Sequence, residues 1–251
     1  MSDNLPKLRN PPVIEAVLDI GCDLPPTLNW AVLEAAALLA YRDSYPKFQR
    51  LLSGKPPSGG TAGPPPMSGT GGVQALQFFH EDGKQLVQVR SGGYSFNRLS
   101  PYAGLDAYLP EIKRTWDIFL GIANPKVIRA LRLAYINRIN LPVKGPTVDI
   151  AKYLKTVQPP DEGGLALTGF LSKYTLAEEG TGNIADVLLT ALPPEPGCLP
   201  IILTIAACCT ESREPGDWLW IAESIRGLRA LKNRNRSRGQ KCKTALNQAI
   251  L

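Results

Sequence analysis

The chain of 251 residues contains a single histidine, His80. That excludes zinc sites built from several histidines and the HExxH type of metalloenzyme. Five cysteines are present, Cys22, Cys198, Cys208, Cys209 and Cys242, with no CxxC pair among them. An odd count without that spacing argues against a disulfide framework. Cys208 and Cys209 are adjacent in an apolar run, where neighbouring side chains point to opposite faces of a strand, so they read as packing residues. No GxSxG or reactive-cysteine context accompanies His80, which stands in His-Glu-Asp-Gly and reads as a surface-turn residue. No apolar run is long enough to span a bilayer; the longest, 199–209, is too short. The opening residues, Met1-Ser-Asp-Asn-Leu-Pro-Lys, lack the apolar stretch of a secretory signal. A soluble, cytoplasmic protein without metal or cofactor is the expectation.

What charge there is lies unevenly. The formal net charge is +6, from 28 basic and 22 acidic residues. Residues 226–243 hold eight basic side chains and no acidic one: Arg226, Arg229, Lys232, Arg234, Arg236, Arg238, Lys241 and Lys243. Setting those aside, acidic residues slightly outnumber basic ones. Such a tail is compatible with nucleic acid, because spaced cations neutralise phosphates without reading bases. No aromatic residue follows Trp220, so base stacking is not supplied there. A solvated helix end is the plainer reading.

Periodicity orders the rest. Residues 13–22 alternate as a strand, with Ile14, Ala16, Leu18 and Ile20 on one face and Glu15 and Asp19 on the other. Residues 29–41 read as a helix. Residues 53–72 are rich in glycine and proline and cannot bury enough surface to offset their ordering entropy, so they read as a disordered insertion. They lack GxxxxGK spacing, which argues against a phosphate cradle. Residues 74–80 and 84–90 read as two strands around a Glu81-Asp82-Gly83 turn, the second running on through Gly92-Gly93 to Leu99. A helix is expected over 104–122, with Pro110 in its first turn or at a kink.

Then the order repeats. Residues 128–141 form a long strand, with Arg132 and Arg138 on the face away from Leu131, Leu133, Tyr135 and Ile139. A helix is expected over 148–157, strands over 165–176, 184–192 and 200–210, and a last helix after the N-cap Asp217. The fold class is therefore α+β: two related strand-helix-strands-helix halves, about 8–124 and 125–233, forming antiparallel sheet with helices on one face. Residues 234–251 form the basic tail.

Three strings, Leu8-Arg-Asn-Pro-Pro-Val-Ile-Glu-Ala-Val17, Asn97-Arg-Leu-Ser-Pro-Tyr102 and Tyr135-Ile-Asn-Arg-Ile139, resemble a sporadically distributed bacterial family of uncharacterised proteins, a TIGR hypothetical-protein family. The resemblance spans nearly the whole chain in the right order. It implies a bacterial cytoplasmic protein and no accepted activity, so it supplies no catalytic residues. The chain departs from the family pattern at residues 234–240 and in the Pro/Gly insertion.

Two sets of residues could carry binding chemistry. Glu15, Asp19, Arg132 and Arg138 would meet on the sheet face away from the helices, the arginines acting as bidentate clamps for a polar ligand. An ordinary solvated face with cross-strand ion pairs is the competing reading. Asn97-Arg98 and Asn137-Arg138 could each form an amide–guanidinium site for an anion or a partner's backbone. Asn137 alone falls on the apolar face and needs a buried hydrogen-bond partner. The expected role is non-enzymatic: a ligand- or partner-binding accessory component with an unidentified protein partner. A nucleic-acid-associated protein using the tail, and an enzyme using the carboxylate–arginine face, are the alternatives.

Overall fold

The structure, a computed structural model, describes residues 12–52, 73–143, 150–154 and 169–238. Alternation of apolar and polar residues in the first strand sets the plan. The elements run β1 (Val13–Asp23), α1 (Trp30–Tyr41), β2 (Lys47–Leu52), β3 (Val73–Phe79), β4 (Gln85–Arg90), β5 (Gly93–Leu99) and α2 (Leu109–Ala123). They continue with β6 (Val127–Pro142), α3 (Ile150–Tyr153), β7 (Leu171–Ala177), β8 (Ile184–Ala191), β9 (Cys198–Cys209) and α4 (Trp218–Arg238). The nine strands among the described residues join one antiparallel sheet in the order β2-β3-β4-β5-β1-β6-β9-β8-β7. The protein is thus α+β, and β1 is its central strand.

One sheet face carries the core. Leu18 and Ile20 of β1, Val87 and Val89 of β4, Tyr94 and Phe96 of β5, and Leu131 and Leu133 of β6 all point the same way. Against them pack Leu33, Ala37 and Tyr41 of α1, Ile112, Trp116 and Phe119 of α2, and Ile221, Ile225 and Leu228 of α4. A second cluster, Ile139, Leu141 and Ile201 with Ile150 and Leu154, seats α3 on the same face farther along β6. Each large side chain buried this way contributes about 1.5–3 kcal/mol. Polar ties fix the helices within this layer. The Tyr41 hydroxyl donates to the Thr115 carbonyl at 2.8 Å, and the Trp116 indole donates to the Pro215 carbonyl at 3.1 Å.

The helix ends follow local chemistry. The Asn29 side chain accepts from the Ala31 and Val32 N–H groups at 2.9 and 3.4 Å, which starts α1. Pro110 sits in the first turn of α2, where its missing N–H costs nothing. Asn124 closes α2 in the left-handed region at φ 44°. Asp217 caps α4 through the Trp220 N–H at 3.0 Å.

Several boundaries differ from the sequence expectation. Residues 84–99 do not run as one strand. The chain folds back at Ser91-Gly92, placing Arg90 opposite Gly93 in a β4–β5 hairpin. The helix expected from residue 104 begins at Leu109, after a single 3-10 turn at Leu105–Ala107. β2 was not expected, because Lys47, Gln49 and Arg50 obscure its alternation. The last helix runs farther than residue 233, since α4 continues to Arg238 at the start of the basic tail. The 53–72 insertion lies outside the described residues.

Gly93 is the tightest point of the sheet. It adopts φ 130°, and a Cβ there would lie 2.1 Å from the Ile20 carbonyl oxygen of β1. Both the backbone conformation and the clash exclude larger residues. Gly93→Ala is expected to destabilise the protein by about 3 kcal/mol or more, read as a lowered urea midpoint. An unchanged midpoint would show that β1 and β5 can separate there without loss.

Candidate functional site

The two-residue period of β1 sends Glu15, Val17 and Asp19 to the second sheet face, opposite the four described helices. Register then decides what they meet. Glu15 stands across from Leu99 of β5 and Ile136 of β6, while Asp19 stands across from Ser95 and Arg132. Glu15, Asp19 and Asn97 are buried, at 2%, 8% and 3% exposure. Their charges and amides must therefore be satisfied from within the protein.

Two linked arrangements do this. Asp19 lies between two guanidiniums: Arg90 Nη2 donates to Oδ1 at 2.8 Å, and Arg132 Nη1 donates to Oδ2 at 3.4 Å. Arg90 also reaches the Tyr94 carbonyl at 3.3 Å. Beside this triad runs a ladder of amides. Gln49 donates to Gln77 at 2.5 Å, Gln77 to Gln88 at 3.2 Å, and Gln88 to Asn97 at 3.3 Å. The Ser95 hydroxyl adds a bond to Asn97 Oδ1 at 3.2 Å. Asn97 Nδ2 then donates to Glu15 Oε1 at 2.6 Å. From Gln77 on, each amide accepts from one strand and donates to the next, so β2, β3, β4, β5 and β1 are joined by side chains as well as backbone.

Glu15 terminates the ladder as its final acceptor. Burial pushes its carboxyl above the usual 4.5; the Asn97 bond opposes that rise, and the nearby Asp19 charge adds to it. The group is thus a weakly acidic carboxyl in the middle of the sheet.

The structure brings together Glu15, Asp19, Asn97 and Arg132 of the expected residues. It separates the others. Adjacent residues of a strand face opposite ways, so neither Asn97-Arg98 nor Asn137-Arg138 forms one amide–guanidinium site. Arg98 points to the helix face, where it pairs with Asp82 at 2.9 Å and lies over the Tyr108 ring. Asn137 is buried on the helix face, donating to the Leu203 carbonyl at 3.0 Å and to the Tyr135 carbonyl at 3.4 Å. Arg138 shares the second face with Arg132 but lies too far along β6 to join the triad. It binds Glu195 at 2.6 Å and Asn140 at 3.1 Å instead. Arg90, Gln77, Gln88 and Ser95 had not been singled out. The only trace of them in the sequence is a polar residue at alternate positions of apolar strands.

His80 is half-exposed in its turn, with Nδ1 3.2 Å from Asp82 Oδ1. Burial works against the Asp82 charge, but bonds from the Lys84 N–H, Arg98 and His80 outweigh it and hold the carboxyl down at about 2. In the basic segment, Arg229 donates to Asp106 at 2.6 Å, and Lys232 Nζ lies 3.4 Å above the Tyr135 ring. Arg226 is exposed. Arg234, Arg236 and Arg238 continue α4, and Lys241 and Lys243 lie outside the described residues. Among the described residues, no group of three or more His, Cys, Asp or Glu side chains is placed to hold a metal.

Two hollows among the described residues bear on the site, and Glu15 lines neither. A small one of about 10 Å³ lies under Arg98, Tyr102 and Tyr108. A groove of about 490 Å³ lies between the start of α1 and the end of α2, lined by Pro25, Leu28, Val32, Ile122 and Lys126 among others. Comparison with protein-family models, with curated proteins and with solved structures finds no match to this chain.

The raised Glu15 carboxyl has a stability signature. The folded chain holds this proton more tightly than the unfolded chain does. The group's contribution is therefore complete below the ordinary value of 4.5 and is lost as pH rises through the raised one. Glu15→Gln removes the titration and keeps an acceptor for Asn97. Urea midpoints from about pH 4 to about pH 8 are expected to favour the variant increasingly as pH rises. Parallel curves for the two proteins would show that Glu15 is not perturbed.

Proposed function

We propose that the protein is a non-enzymatic, partner-binding accessory component of a bacterial cell, and that its docking surface is the outer side of α1. One observation carries this reading. α1 is apolar on nearly every side; of its twelve residues only Glu34 is charged. Leu33, Ala37 and Tyr41 are spent on the core. The opposite side presents Val32, Ala35, Ala36 and Leu39, one continuous stripe by the three-and-four spacing of a helix. Val32 and Leu39 are 66% and 65% exposed. A surface helix ordinarily turns polar residues outward, and one that is apolar all round is ordinarily covered. The groove beside Val32 extends the same surface toward α2. A protein segment with an apolar face fits both.

The carboxylate–arginine set contributes to this role indirectly, since its groups are paired with one another inside the sheet. The enzyme alternative has the perturbed Glu15 in its favour, but that carboxyl is buried and bonded to Asn97. The nucleic-acid alternative shares two of its eight cations, Arg229 and Lys232, with contacts inside the fold.

We also read the two halves as related. The support is their order. β1 pairs with β5, the last strand before α2, as β6 pairs with β9, the last strand before α4. β1 and β6 then pair with each other at the middle of the sheet.

A photo-crosslinking residue placed at Ala35 tests the docking surface in the native host. It is expected to capture one protein that the same probe at the exposed Glu223 of α4 does not. Val32→Glu with Leu39→Glu is expected to abolish that capture while changing stability by no more than about 0.5 kcal/mol. Equal labelling from both positions, or capture that survives the double substitution, would contradict the proposal.

A further inference from the structure

We infer that β7 is a self-recognition edge, through which a second copy of this chain extends the sheet about a two-fold axis at Tyr174. Among the described residues, β7 is the last strand on its side of the sheet. Its hydrogen-bond parity is set by its flanks: the Ala191 N–H donates to the Phe170 carbonyl at 3.2 Å, and the Glu178 N–H to the Asn183 carbonyl at 2.8 Å. Even-numbered residues therefore bond to β8. Leu171, Lys173, Thr175 and Ala177 turn their N–H and C=O groups outward, and all four are exposed. Leu171 and Leu176 are 70% and 45% exposed, which is unusual for an edge left to water.

The strand is complementary to itself. With a two-fold axis at Tyr174, antiparallel pairing sets Leu171 opposite Ala177 and Lys173 opposite Thr175 of the second copy. The four outward residues then form hydrogen-bonded pairs, supplying about eight backbone bonds across the junction. Charge complementarity favours the same register. Thr175 already donates to Asp186 of β8 at 2.6 Å on the second face. Lys173 of the second copy enters that row beside Thr175, with Asp186 next in line. The two lysines fall on a diagonal and not opposite each other. The opposite edge, β2, carries two cations, Lys47 and Arg50, with Arg50 paired to Glu34, a composition that discourages strand addition.

Sedimentation of the full chain tests this, and the wild type is expected to dimerise in a concentration-dependent way. Thr175→Pro removes only an outward N–H, so the β7–β8 ladder is kept. Losing that bond in both copies is expected to weaken the dimer by roughly thirtyfold. Lys173→Glu and Asp186→Lys are each expected to weaken it, and together to restore it. In the wild type, amide exchange at Leu171, Lys173, Thr175 and Ala177 is expected to slow as protein concentration rises, a readout independent of whether any variant folds. A chain that stays monomeric up to about 100 µM overturns the inference. So does a dimer whose exchange at those four amides is insensitive to concentration, or one that Thr175→Pro leaves equally tight.

Discussion

A carboxyl group buried in the central strand of a sheet must find its partners within that sheet, and Glu15 is such a group. Its nearest donor is Asn97 on the adjacent strand. That amide in turn needs its oxygen satisfied, and the requirement passes through Gln88 and Gln77 to Gln49 at the edge. The second face of half the sheet is organised by this one requirement. Leaving a buried polar atom without a partner costs about 1–3 kcal/mol, so each link is held by the next. Asp19 solves the same problem four residues along by a different route, with two arginines from the strands on either side of β1 and β5.

The two faces therefore divide the work. The helix face holds the protein together by apolar burial, with Trp116, Phe119 and Tyr94 at its centre. The second face sets register: a one-residue slip of β1 would turn Glu15 and Asp19 into the apolar core and break their bonds to Asn97, Arg90 and Arg132 at once. Gly93 enforces the same alignment from the backbone, because β1 and β5 approach so closely at Ile20 that no side chain fits. Exposed apolar side chains lie instead on the outer side of α1 and along β7.

Much of the plan was legible in the sequence because a period of two is easily read. The faces of β1 and β6 follow from counting, and so do the placements of Glu15, Asp19 and Arg132. What counting along one strand does not contain is register between strands. Arg138 lies on the expected face yet six residues past Arg132, and only the pairing with β1 and β9 shows that it meets Glu195 and not Asp19. The glutamine ladder is invisible for the same reason, since each member is an unremarkable polar residue until five strands are laid side by side. The hairpin at Ser91-Gly92 was read as continuous strand because a glycine pair fits a bulge as well as a turn. The outer stripe of α1 is hidden in the sequence, because a helix that is apolar on nearly every side does not show by its period which side is covered.

The most direct measurement is a double-mutant cycle on Glu15 and Asn97, with each residue changed to alanine singly and together and stability measured at pH 7. The ladder predicts that the two effects couple by about 1–2 kcal/mol, because either change alone strands its partner in the sheet. Effects that add within about 0.3 kcal/mol would contradict it, and would mean that the second face is aligned by its backbone alone.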